Sequence, residues 1–327
     1  MTREQIVNTA LILALIVVPL WAYAAGAPFT ITLATRAVIF ALAAVGLNIA
    51  LGLGGMVSFG HAVFFGIGGY AMGILAYHAQ NFLPLYDGMI LIEGTKSMPV
   101  IWLVAVVASA LAALLIGLLS LRTSGVYFIM ITLAFGQMFY YFAISWRAYG
   151  GEDGLSIWVR NDFPGLNTLD PIQFYGLCFA ALAGALWLSA RLARSSFGLV
   201  LNAARQVPVR VETVGLDPTR AKLVAFVISG AITGLAGALF ADLNRFVSPT
   251  MFSWHLSGEI IVFIILGGVA RLFGPVAGAV LFVAMEHLLG DISDYWQIYL
   301  GAVLLGIVLF ARGGVIGLLA GKAKAHD

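Results

Sequence analysis

Few side chains able to do chemistry interrupt the apolar runs of this sequence: Arg36, His61, Glu259, Glu286 and His287. Burying an ionisable group in a membrane-length run costs ~2.5–3.5 kcal/mol on insertion scales, so each marks a functional site by default. A plainer reading competes. Arg36 lies near the start of its run. Glu259 and Glu286-His287 are placed near the outer ends of theirs, in reach of headgroups or loops. His61, beside Gly60 at a helix start, has the setting of a hydrogen-bonded structural histidine. Two acids near helix ends make a poor proton relay. The sequence contains no GxxxxGK[ST] phosphate loop, no HExxH and no CxxC. Its single cysteine, Cys178, excludes an internal disulfide and is read as an inert packed thiol in the apolar stretch 177–182. No catalytic residue, metal ligand or cofactor site is assigned, and the chain is not read as an enzyme.

The elements that must position these groups follow from composition. Hydrophobic residues make up 61% and charged residues 10%, against roughly 45–50% and about 25% in ordinary globular chains. Mean hydropathy is +1.01. A soluble surface cannot be built from so few charges, and a net charge of +2 leaves no basic face for nucleic acid. The expectation is an all-α polytopic membrane protein, residues 1–327 forming a single transmembrane domain with membrane lipid around it. About ten apolar stretches are long enough to consider as spans: 7–26, 33–52, 58–78, 99–120, 125–145, 172–190, 221–241, 256–270, 273–290 and 294–311. The eighth is short and runs into Gly267-Gly268, so a broken or re-entrant helix is expected there. The first resembles a signal peptide ending in Ala22-Tyr23-Ala24, but its near-full span length, with Pro19 and Trp21, favours a retained helix.

Orientation is read from Lys and Arg. With ten crossings and a cytoplasmic N-terminus, most of the 17 basic residues fall inside: Arg3, Arg122, Arg191, Arg194, Arg205, Arg210, Arg220, Lys222, Arg271, Arg312, Lys322 and Lys324. Arg36, Lys96, Arg147, Arg160 and Arg245 fall outside, with the acids Asp87, Glu93, Glu152, Asp153, Asp162, Asp170, Asp242, Asp291 and Asp294. Both termini are therefore expected in the cytoplasm. Glycine supplies a second pointer, being well above its usual share with 38 residues. One cluster lies within 45–70 and another within 267–278. Each interrupts an apolar run with Gly-Gly, then Phe-Gly, as SFGH (58–61) and LFGP (272–275). Interrupted helices at corresponding positions of two halves point to a transport pathway near the repeat interface.

The longest inside loop, residues 191–222, is too structured for a passive connector. A helix is expected over 197–206. Pro208 suits the first turn of a second short helix, with Val207, Val211 and Val214 on one face. Gly215 is placed as its C-terminal cap, and Asp217-Pro218 as N-cap and first residue of the next span. A short amphipathic helix of this kind fits a partner's groove, or else lies on headgroups held by its arginines.

These residues resemble the LivM-type permease subunits of branched-chain amino-acid ABC importers. The likeness is carried by LNIALGLGGMVSFGH (47–61), FGIGGY (65–70), GVYFIMITLAFGQ (125–137), GGEDG (150–154), VGLDP (214–218) and LGGVARLFGP (266–275), in the family's order over roughly residues 35–310. The resemblance implies a permease subunit in the bacterial cytoplasmic (inner) membrane, working by alternating access. It implies as partners a second related permease, two ATPase subunits and an external solute-binding protein. Residues 205–217 then correspond to the ATPase-coupling region, with Arg205, Pro208, Arg210, Glu212, Gly215 and Asp217 as its expected residues. Glu212 and Gly215 stand where the family's coupling loop has its acid and glycine, while Val211, Thr213 and Val214 depart from its alanines. Related permeases also carry urea, short amides or aromatic acids, and an ATP-independent carrier is the rival reading. A small neutral or zwitterionic solute fits the scarcity of buried charge. Asn48, Ser58, His61, Thr132, Gln137 and Glu259 are the candidate pathway residues.

Overall fold

The computed structural model describes residues 3–86, 92–269, 271–290, 295–310 and 313–320. Of the charges used for orientation, Asp87, Asp291, Asp294, Arg312, Lys322 and Lys324 lie outside these residues, as does Ala270 of the second glycine cluster. The helices are α1 (Arg3–Ala24), α2 (Pro28–Asn48, continued by a π-helical turn Ile49–Leu53), α3 (His61–Gln80), α4 (Met98–Ser120), α5 (Val126–Ser145), α6 (Pro171–Ala193), α7 (Ser196–Gln206), α8 (Pro208–Thr213), α9 (Pro218–Asn244), α10 (Trp254–Gly267), α11 (Gly274–Gly290), α12 (Trp296–Phe310) and α13 (Gly314–Ala320). Each expected apolar stretch is mostly helical over its described residues. Seven helices (α1 to α6 and α9) are long and apolar enough to cross a membrane; the last three apolar ones are shorter. At 1.5 Å per residue the 14 residues of α10 reach only about 21 Å, short of a ~30 Å hydrocarbon core. The protein is a polytopic all-α membrane protein.

Local chemistry explains several boundaries. Pro19 lies inside α1 and has no N–H, which orphans the carbonyl of Leu15 four residues earlier. The Tyr175 hydroxyl of α6 donates to that carbonyl, so a tertiary contact repairs the break. α2 begins at Pro28, more than a turn earlier than expected; proline suits a first helical position, and Thr32 and Thr35 turn their hydroxyls inward to the carbonyls of Pro28 and Ile31. Almost every residue from Ala37 to Asn48 is buried, and α2 forms the centre of the bundle, in contact with α1, α6, α9, α10 and α11. On the far side of α9 stand α3 and α4, with α5 outside α3. The α3–α9 crossing is backbone to backbone. A Cβ on Gly68 would sit 1.8 Å from the Gly234 carbonyl oxygen, and one on Gly237 would sit 1.8 Å from that of Phe65.

The two ends of the bundle differ. One carries α7, α8 and Arg271, between α10 and α11. The other carries two small antiparallel pairs: β1 (Pro84–Tyr86) with β2 (Ile92–Glu93), and β3 (Leu155–Ser156) with β4 (Phe246–Val247). Arg36, expected near the start of its run, lies two turns inside α2 because α2 starts early, and its guanidinium bonds the Glu286 carboxylate at 2.9 Å. One charge placement is corrected. Asp242, expected in an outer loop, is buried in the last turn of α9 and accepts from the backbone and side-chain N–H groups of Asn161.

Candidate functional site

α3 begins inside the bundle rather than at its surface, at fully buried His61. The backbone leaves helical form after Leu53 and resumes at His61, which bonds Ser229, a residue about 16 Å along α9 from Pro218. Residues 54–60 therefore run back into the protein at membrane depth, where each free N–H needs a partner. Hydroxyls supply them. Phe59 N–H donates to Thr132 Oγ1 at 3.2 Å, Gly60 N–H to Ser58 Oγ at 3.2 Å, and Ala62 N–H to Ser257 Oγ at 2.9 Å. Ser257 stands in the first turn of α10, so the N-termini of α3 and α10 meet there. The buried start of α3 directs its positive dipole end into the protein interior.

His61 is fully buried and held edge-on by Phe64 and Phe226. Ser229 Oγ donates its proton to the Gly46 carbonyl at 2.7 Å. It can then only accept from His61 Nε2 at 2.7 Å, which assigns the proton to Nε2. His61 thus ties α3 through α9 to α2. Ser58, His61 and Thr132 are brought together by this junction. Asn48 is not among them: its amide donates to the Arg271 carbonyl at 3.3 Å and joins the end of α2 to the turn between α10 and α11. That contact links the two glycine-rich interruptions, and a Cβ on Gly278 would sit 1.8 Å from the Phe263 carbonyl oxygen, so α10 and α11 pack as a tight hairpin. Gln137 is half-buried on α5, one residue after buried Gly136.

Glu259 lies elsewhere, within electrostatic range of Glu286 and Arg36. The three come from α10, α11 and α2 and form a charged group between helices. Arg36 also lies over the Phe40 ring, 5.4 Å from its centroid.

The segment 191–222 follows expectation at Gly215 and Asp217-Pro218, adds a cap at Ser195 and differs between them. Ser195 caps α7 by accepting from Gly198 N–H, and Asp217 caps α9 by accepting from Thr219 and Arg220 N–H. Gly215 (φ +84°) closes α8 with a Schellman pair, Gly215 N–H to Glu212 O and Leu216 N–H to Val211 O. The expected valine stripe is corrected. α8 is only six residues long, Val207 precedes it in extended conformation and Val214 follows its last turn, so helical periodicity does not align them. Val211 is buried, while Val207, Val209, Val214 and Leu216 are exposed. Pro208 opens α8 as its first residue, with Arg210 and Glu212 exposed beside these valines. Arg205 Nη1 donates to the Gly52 carbonyl in the π-helical turn, and its stem lies against Gly55.

Sequence reasoning missed Ser229 and Ser257, which look like ordinary small residues of packed helices. It also missed the cluster at the strand end. There Asn161 is fully buried, and Arg160 stacks over the Phe174 ring at 4.3 Å while donating to the carbonyls of Thr168 and Leu243. Burial lowers the pKa of the Arg160 guanidinium, with Asp242 opposing. The only signal for that cluster was an Arg-Asn-Asp run in a polar loop. Among the described residues no group of three or more His, Cys, Asp or Glu is placed to hold a metal ion.

Comparison with known proteins adds to this geometry. The family model described as "Branched-chain amino acid transport system / permease component" matches residues 29–311. The chain is similar to the high-affinity branched-chain amino acid transport system permease protein LivM of Salmonella typhimurium strain LT2, at 28% identity over 90% of this chain and 72% of that one. It is similar to LivM of Escherichia coli K12 at 27% identity over 91% and 72%. A probable branched-chain amino acid transport permease protein LivH of Methanocaldococcus jannaschii is 26% identical over 78% of each chain. No solved structure matches this chain.

Proposed function

This chain belongs to the branched-chain amino acid transport permease family, and from that premise we propose that it is one membrane subunit of an ATP-driven importer of branched-chain amino acids. The ATPases are separate chains, two copies of which dock on residues of this subunit and of a second, related permease; an external solute-binding protein delivers the cargo. The subunit resides in the bacterial inner membrane with both termini and α7–α8 in the cytoplasm.

The observation that carries this reading is the surface of α8 and its flanks. Val207, Val209, Val214 and Leu216 are exposed next to exposed Arg210 and Glu212, on a segment too polar to lie in hydrocarbon. Such a surface fits a partner's groove. Arg205 ties it to the π-helical turn at the end of α2, and π-turns are weak points at which helices bend. Closure of the ATPase dimer would pull α7–α8, and Arg205 would carry the displacement to α2 and the broken backbone at 54–60. For ATP to drive the cycle it must bind the outward-open and inward-open assemblies with different affinity.

Two measurements test this. Purification of the tagged chain from its native membrane in mild detergent should recover two ATPase copies and a second permease. Glu212→Lys should lower solute uptake and substrate-stimulated ATP hydrolysis at least tenfold with an unchanged amount of chain in the membrane. Unchanged uptake in that variant would sink docking through α8. Transport by the isolated chain in liposomes without ATP would make it a carrier.

A further inference from the structure

Resting on the reading of this chain as an amino-acid permease, we infer that the Arg36–Glu286 pair is a transit site for a zwitterionic α-amino acid with an apolar side chain. A cavity of about 370 Å³ lies against the pair, walled by α2, α9 and α11. Its chemistry is divided. Arg36 and Glu286 supply opposite charges at 2.9 Å, and Leu33, Leu243, Val283 and the Phe29 ring supply an apolar wall. The lining extends from the pair outward to Asn244 and Gly290, at the ends of α9 and α11.

Each half of a zwitterion has a counterpart here. The guanidinium presents a fork of N–H donors that matches a carboxylate with two parallel bonds. Glu286 uses one oxygen for Arg36, while its second oxygen is buried with no hydrogen-bond partner among the described residues. An ammonium carries the three donors that this oxygen lacks. Glu259 lies near enough to feel both charges. The aliphatic side chain of the cargo then lies on Leu33, Leu243 and Val283.

The exchange conserves charge. Without cargo, Arg36 and Glu286 neutralise one another, which an ion pair at membrane depth requires. With cargo, one internal pair is replaced by two, each between protein and ligand, and the net charge of the site does not change. A neutral amide offers no charge to either side chain, and an acid without an ammonium leaves Glu286 uncompensated. Leaving one partner of a buried pair alone is the costly outcome. The site therefore selects zwitterions over amides and simple acids.

The test is uptake of radiolabelled leucine by cells expressing the full chain with its native partners, with the amount of chain in the membrane measured alongside. Arg36→Gln and Glu286→Gln should each lower uptake at least tenfold. The double variant Arg36→Leu/Glu286→Leu separates a binding role from a structural one, because it removes both charges and leaves neither uncompensated. Uptake by it should stay at least tenfold down although the chain reaches the membrane in wild-type amount; recovery to within twofold of wild type would overturn the site and leave a structural bridge. Arg36→Lys keeps the charge without the fork. It should raise the KM for leucine at least fivefold at a similar maximal rate, and an unchanged KM would also overturn the site, even where the double variant fails to accumulate. A wild-type chain that takes up no leucine fails at the control arm, which removes the permease reading and the site together. Wild-type uptake with indifferent variants removes the site alone.

Discussion

At the scale of single residues, this protein repairs backbone vacancies with side chains from distant helices. Pro19 leaves the Leu15 carbonyl without its helical donor, and the Tyr175 hydroxyl replaces it. Tyr175→Phe should therefore cost about 1 kcal/mol of stability in detergent, as a buried carbonyl loses its partner. In a Pro19→Ala background, where residue 19 regains its N–H, the same change should cost close to nothing. Thermal unfolding of the four chains of this cycle checks it, and equal losses in both backgrounds would refute the pairing. Ser58, Thr132 and Ser257 serve the same purpose at the start of α3, the first two accepting from N–H groups ahead of the helix and Ser257 from one in its first turn. Polar residues in an apolar run thus have two occupations, cargo and backbone. These three are occupied with backbone, and Arg36 and Glu286 are the pair beside a cavity.

At the scale of elements, helix packing is set by where side chains are missing. The α3–α9 crossing leaves no room for a methyl group at Gly68, whose Cβ would lie 1.8 Å from a backbone oxygen that cannot swing away. Gly68→Ala should destabilise the chain by about 3 kcal/mol or more, above the usual overpacking cost because the obstacle is main chain. Gly184 in α6 has nothing within 4 Å. Gly184→Ala should leave the melting temperature unchanged or raise it slightly, since alanine is the better helix former. Similar effects at the two glycines would show that composition, not close approach, explains them. Both are glycines in apolar helices, and no local pattern separates them. The caps of α8 and α9 behave in the opposite way. Gly215, Asp217 and Pro218 were readable because a cap depends on residues within one turn. The valine face was not, because it required knowing that α8 would end after six residues.

At the scale of the whole molecule, the charges divide the two ends. Arg194, Arg205, Arg210 and Arg220 belong to the α7–α8 end, while Glu152, Asp153 and Asp162 belong to the strand end. By the positive-inside rule the proposed orientation puts the first end in the cytoplasm. Exposed Asp153 and Arg210 allow a direct check by thiol labelling, because the native Cys178 is buried and gives no background. In intact cells a membrane-impermeant maleimide should label Asp153→Cys and leave Arg210→Cys untouched until the membrane is opened. The reverse pattern would invert the protein and move α8 away from any cytoplasmic ATPase. The seven long helices and three short ones also share out a task. The long ones hold position in the bilayer, and the short hairpin of α10 and α11 carries Glu259, Arg271 and Glu286 into the interior.

What the sequence by itself determined is what hydrophobicity and nearest neighbours determine: an all-α membrane protein, the place of each apolar helix, the caps at 208–218 and the two glycine-rich interruptions. Burial of apolar length and completion of backbone hydrogen bonds act over one helix or less, so a linear reading captures them. Only the tertiary structure decided that Arg36 meets Glu286 across 250 positions, that His61 donates to Ser229 from another helix, and that α3 starts at membrane depth. Those outcomes depend on which helices lie side by side and at what depth. That choice is made by the packing of glycine-lined faces and the pairing of buried polar groups, interactions that couple residues far apart in the chain.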